Sequence, residues 1–136
     1  RIVEYLTRRL PSLGKKVELR NDIHPGIVIL ANGSLLAWSI ENIIRNGIDA
    51  IEREDGLVNI SLRQYDDDIK IRIKDNGRGI PKKDWKNIFR PGFSTKQAGW
   101  GLGLSLSSRI IEDIHGGQLK VLESSFETGT ILEISL

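Results

Sequence analysis

Neither cysteine nor methionine occurs in this chain of 136 residues. Without cysteine there is no disulfide framework and no thiolate metal site. Lacking methionine throughout and beginning at Arg1, the chain is expected to be cut from something longer. No apolar run approaches the roughly 18 residues of a membrane span, and no secretory signal pattern is visible. Charge of one sign is not in excess either. Twenty Lys and Arg face 18 Asp and Glu, and a net charge of +2 is too small to argue nucleic-acid binding. The Gly-Lys-Ser/Thr of a Walker loop is missing, and no strand feeds Gly99, Gly101 and Gly103 directly as a dinucleotide fingerprint requires.

What remains is an ordinary globular composition, 39% hydrophobic and 28% charged, which argues against disorder. The length suits one domain with a real core. Residues 1–12 read as the end of a preceding helix or linker, with Ile2, Val3, Leu6 and Leu10 at helical spacing and Pro11 as the stop. Residues 13–136 form the domain proper.

Lys16 to Asp22 alternates as a short strand, and Asn32-Gly33 marks a turn. Ser34 is the candidate N-cap of a helix reaching about Arg53, with Leu36, Ile40, Ile43, Ile44, Gly47 and Ile51 on its apolar face. On that helix Asn42, Asn46 and Asp49 fall at i, i+4 and i+7 and make one polar stripe. Strands follow at Leu57–Tyr65 and Ile69–Asp75, joined by a turn of three aspartates. In the second, Ile69, Ile71 and Ile73 share one face, and parity puts Asp75 with them. A carboxylate aimed at a core needs a donor, so Asp75 is a functional candidate; the alternative is a strand already frayed into the Asn76-Gly77 turn. Pro81 opens a short helical stretch ending near Phe89. Arg90–Ala98 reads as a mobile loop. Leu102–His115 reads as a helix burying Leu104, Ile110, Ile111 and Ile114, stopped by Gly116-Gly117, before a final hairpin of Leu119–Glu123 and Thr130–Leu136.

Three segments carry chemistry: Glu41–Ala50 on the helix, Asp75-Asn76-Gly77-Arg78-Gly79-Ile80, and Gly99-Trp100-Gly101-Leu102-Gly103-Leu104. Glycines before a helix start offer free N–H groups to a polyphosphate, or serve only as sharp bends. Asn46 is a neutral oxygen ligand suited to Mg²⁺ when phosphates fill the rest of its shell, or a buried amide tied to a loop. Arg90, Ser94, Thr95 and Lys96 could touch phosphate, or be solvated surface. His24 and His115 lack a catalytic acidic partner and are assigned structural roles, with a cationic His115 suiting a helix C-terminus.

Taken in order, these blocks resemble the catalytic and ATP-binding domain of sensor histidine kinases, in the superfamily that includes gyrase, mismatch-repair and heat-shock-chaperone ATPases. Glu41–Ala50 is similar to the N box, Asp75–Ile80 to the first glycine box, Ile88–Lys96 to the F box and lid start, Gly99–Leu104 to the second glycine box, and Gly129–Ile134 to the closing strand. The resemblance implies an α+β fold: a two-layer α/β sandwich, a mixed sheet of about five strands with three helices on one face and a mobile ATP lid. It implies ATP and Mg²⁺ as cofactors. Asp75 would accept a hydrogen bond from the adenine amino group, Asn46 would hold the metal, and Gly77 and Gly79 would admit the base. Ile80, Phe89, Leu102, Leu104 and Thr130 would complete the nucleotide site, with Gly99, Gly101 and Gly103 bordering the triphosphate and Ser94, Thr95 and Lys96 in the lid. Asn42 and Lys96 would act in catalysis. Asn42 stands where the gyrase and chaperone branches carry a water-activating Glu, and an amide is no general base. Gly47 replaces a usual Ala, and Asp49-Ala50 replaces the Lys and aromatic of many sensor kinases, so a phosphate contact and a stacking contact are missing. The implied partners are a histidine-bearing dimerisation domain of the same parent and a downstream response regulator, in the cytoplasm, without nucleic acid. The alternatives are an anti-sigma-type serine kinase and a nucleotide-sensing scaffold without catalysis.

Overall fold

The computed structural model describes residues 17–23, 26–27, 31–52, 54–93 and 103–136. The expected opening helix, His24, and the stretch from Ser94 to Leu102 lie outside the described residues.

Five strands form one mixed sheet: β1 Val17–Ile23, β2 Gly56–Tyr65, β3 Asp68–Asp75, β4 Gln118–Ser125 and β5 Gly129–Ser135, in the order β1-β2-β3-β5-β4. β1 runs parallel to β2, and every other pairing is antiparallel. The β2–β3 turn needs only Asp66-Asp67, because Tyr65 already pairs with Asp68. Asp66 takes φ 51°, a left-handed value that a short polar residue tolerates. Period-two alternation puts Val58, Ile60, Ile71, Ile73, Leu132, Ile134, Leu119 and Val121 on one buried face.

Three helical pieces cover that face. The first is α1, Gly33–Ala50, whose Ile43, Ile44 and Ile48 are fully buried against the sheet. Its N-cap is Asn32 rather than Ser34: the Asn32 side chain accepts from the Leu35 N–H at 3.0 Å. The helix also stops earlier than expected, since Ile51 is already extended and buried at 2%. The second piece is a pair of 3₁₀ turns, Lys82–Asp84 and Asn87–Phe89, where one short helical stretch was expected. Trp85 fixes them by donating from Nε1 to the Ile80 carbonyl at 2.9 Å.

The third piece is α2, Gly103–Arg109, which widens into a π-helical turn over Ile110–Ile114. The wider turn changes which residues face inward. Ile111 is fully buried, but Ile114 is 55% exposed, against the expectation from a regular helical period. Ser105 and Ser107 are buried in α2, with Ser107 bonded to the Gly103 carbonyl at 2.9 Å. His115 ends the turn and holds it to α1. The Asn32 N–H donates to His115 Nε2 at 3.0 Å, so the ring proton sits on Nδ1, 2.9 Å from the Ile110 carbonyl. The ring thereby ties the end of this turn to the N-cap of α1.

On the opposite face Glu133 is buried at 2%. Arg72 Nε donates to it at 2.9 Å, and Lys70 and Lys120 each approach to 3.9 Å. Three cations compensate one buried carboxylate, the condition under which such a group is tolerated.

Candidate functional site

A cleft of about 620 Å³ opens between α1, the segment after β3, and the start of α2. Among its lining residues is a buried carboxylate, Asp75, at the end of β3 and only 5% exposed. The parity reading holds: Asp75 is still in the strand, paired with Val58 on one side and Thr130 on the other. Gly77 N–H bonds its Oδ1 at 2.8 Å, and the Thr130 backbone on the neighbouring strand bonds the carboxylate as well. Burial pushes the carboxyl up from the ordinary 3.8 to about 6, while the Gly77 and Thr130 backbones and the Arg78 charge pull the other way.

The turn after Asp75 is locked from several sides. Asn76 accepts from Leu57 N–H at 2.8 Å and donates to the Asp55 carbonyl at 2.9 Å. Arg78 N–H reaches the Ala50 carbonyl at the end of α1 at 3.0 Å. Glycine is required at two points of this turn by close approach. A Cβ at Gly77 would lie 2.7 Å from the Ala50 oxygen, and Gly79, at φ +78°, would overlap the Ser125 carbonyl. Gly47 packs directly against the carboxylate, where a Cβ would lie 3.3 Å from Asp75 Oδ2. The missing methyl leaves Oδ2 room on that side.

The structure brings Asn42, Asn46, Asp75, Gly79, Ile80, Gly103, Leu104 and Thr130 to one cleft. Gly77 acts from behind, through its bond to Asp75. Phe89 lies elsewhere. It packs against the core, as Ile88 and Phe93 do, but of the three only Ile88 and Phe93 also line the cleft. Arg90 is exposed and outside the lining. Ser94, Thr95, Lys96, Gly99, Gly101 and Leu102 lie outside the described residues. Asn42 donates to the Trp38 carbonyl at 2.9 Å, and its Oδ1 would stand 3.1 Å from a Cβ on Gly103. Glycine at 103 thus lets α2 close on the asparagine.

Sequence reasoning missed Trp38, Glu41 and Arg45, which also line the cleft. Part of the signal was available: one helical step from the polar stripe reaches Trp38 and Arg45, and Glu41 lies a further step from Arg45. Glu41 and Arg45 pair with each other at 3.1 Å, and Arg45 Nε is buried without a partner among the described residues. Phe126, from the β4–β5 turn, was missed as well and carried no periodic signal.

A buried acceptor at one end, carboxamides along a helix wall, and apolar Ile48, Ile80 and Leu104 between them suit a planar heterocycle bearing an amino group, with a polar tail. An α/β sandwich with such a cleft defines a nucleotide-binding ATPase fold. Residues 32–136 match the family described as histidine kinase-, DNA gyrase B- and HSP90-like ATPases, and the chain belongs to it. It is 32% identical over 122 residues to sporulation kinase B of Bacillus subtilis, covering 90% of this chain and 28% of that protein. It is 43% identical over 105 residues to the signal transduction histidine-protein kinase AtoS of Escherichia coli, covering 76% of this chain and 16% of that protein. The chain therefore spans under a third of the curated relatives it matches. Among solved structures, the mycobacterial sensor histidine kinase MprB superposes with a TM-score of 0.83 at 25% identity, covering 99% of this chain and 91% of that one. The catalytic domain of histidine kinase ThkA superposes with a TM-score of 0.82 at 23% identity, with 99% and 89% covered, and shares the fold.

Proposed function

We propose that this chain is the ATP-binding catalytic module of a two-component sensor histidine kinase, passing the γ-phosphoryl group to a histidine on a separate dimerisation domain. The observation that carries the reading is Asp75: a buried carboxylate with one oxygen held by a backbone N–H and the other beside Gly47. Such an acceptor recognises an exocyclic amino group. Asn46, on the neighbouring helix wall, suits an oxygen ligand for Mg²⁺, which would neutralise phosphate charge when bound. Asn42 cannot take a proton from water, and the adjacent carboxylate of Glu41 is tied to Arg45. The acceptor histidine's lone pair would attack γ-phosphorus as the bond to the β-phosphate oxygen breaks and ADP departs. Neither histidine here is followed by an acid, so the acceptor belongs to another segment. A response regulator downstream completes the reading.

The test is phosphotransfer from γ-labelled ATP. The longest natural form of the protein should label on a histidine, in an acid-labile bond, while this chain alone should bind ATP without labelling itself. Phosphate release by this chain near 10 s⁻¹, an ordinary enzyme rate, would replace the kinase reading with a hydrolase. Acid-stable serine label on a partner would replace it with the anti-sigma type.

A further inference from the structure

Phe126 is 75% exposed, the most exposed large apolar side chain among the described residues, and it lines the cleft. A solitary exposed aromatic is ordinary on a protein surface. The turn that carries this one is held in place. Ser124 Oγ accepts from the Ile80 N–H at 2.7 Å and lies 2.7 Å from Thr130 Oγ1. Thr128 N–H donates to Ser125 Oγ at 3.0 Å, closing the turn that carries the ring. Gly79 lets this hairpin seat against the wall, since a Cβ there would stand 3.0 Å from the Phe126 nitrogen. The register places the turn close to the buried acceptor: Asp75 pairs with Thr130, Thr130 with Ser124, and Phe126 follows Ser125. At the end of α1, Ala50 contributes only a methyl group to the same cleft.

We infer that Phe126 is a nucleotide-binding residue, a ring on the β4–β5 turn that packs on the heterocycle whose amino group Asp75 accepts. This rests on the adenine-nucleotide reading and adds to it a contact supplied from outside the glycine segments. Asp75 selects the base by its amino group, and Phe126 adds affinity that any heterocycle would receive, because every base has a π-face.

The test compares Phe126→Ala, Phe126→Tyr and the parent in calorimetry with ATP, ADP, adenosine and inorganic tripolyphosphate. Base stacking sets the scale, so Phe126→Ala should weaken ATP, ADP and adenosine by roughly five- to 150-fold. Tripolyphosphate binding should not change, and Phe126→Tyr should bind as the parent does. Unfolding should be unaffected by either substitution, given the ring's exposure. Equal affinity of Phe126→Ala and parent for ATP overturns the inference, as does an equal loss for tripolyphosphate. If the parent binds neither ATP nor adenosine, the adenine-nucleotide reading itself fails. A parent that binds, with an indifferent Phe126→Ala, removes only the aromatic contact.

Discussion

Asp75 sets two opposite demands at the scale of one residue. Its carboxyl is raised from 3.8 to about 6 by burial, so folding favours the protonated form. The stability this gives is complete below 3.8 and is lost as pH rises through 6, an effect of about 3 kcal/mol. Asp75→Asn cannot ionise. Its stability relative to the parent should therefore improve between pH 4 and pH 7.5, which urea unfolding at both values measures. Binding runs the other way. An amino group donating to the carboxylate favours the ionised form, so adenine-nucleotide affinity should rise from pH 5.5 to 7.5, with proton release seen in buffers of different ionisation enthalpy. Asp75→Asn should weaken ATP by about 2 kcal/mol or more at neutral pH. A mutant that is both more stable and equally tight would remove Asp75 from the site. At Asn46, alanine should reduce the gain in ATP affinity that Mg²⁺ confers while leaving unfolding unchanged; an equal gain in both proteins would place the metal ligand elsewhere.

Elements meet here through glycines, and the contacts divide into two kinds. Gly129 and Gly92 both hold left-handed backbone, at φ +89° and +82°. A Cβ at Gly92 meets open space, whereas one at Gly129 would overlap the Asp75 carbonyl oxygen. Gly92→Ala should cost about 1 kcal/mol for backbone strain alone. Gly129→Ala should cost a further 1–3 kcal/mol, roughly, for overpacking. Thermal unfolding of the pair isolates the contact, and equal costs would refute it. Sequence periodicity disclosed most of these elements: the alternation of β3 fixed the side of Asp75, and the 3.6-residue period found Asn42 and Asn46. It failed where winding or capping depends on tertiary partners. The π turn at Ile110–Ile114 turned Ile114 outward, and Asn32 displaced Ser34 as cap while its own N–H was taken by His115. Phe126 was illegible for a related reason: a turn residue has no period, and only the β3–β5 pairing brings it to the cleft.

For the molecule as a whole, the site is a property of the assembled sheet. A nucleotide that binds only this assembly stabilises it by mass action, about 2.7 kcal/mol at one hundred times Kd. Melting temperature should therefore climb with ATP in the parent and much less in Asp75→Asn. The order β1-β2-β3-β5-β4 also has a bearing on how the chain reaches its native state. β2–β3 and β4–β5 are hairpins, closed by turns of a few residues, and such contacts form in about 1–10 μs. The joint between them, Asp75 with Thr130 and Ile73 with Leu132, spans more than fifty residues of chain. It must wait for a long loop to close. Neither hairpin alone can cage the carboxylate, so competence to hold a ligand arrives with that late joint. In a refolding experiment, recovery of nucleotide binding should trail the far-ultraviolet signal of the hairpins and keep pace with burial of Ile73.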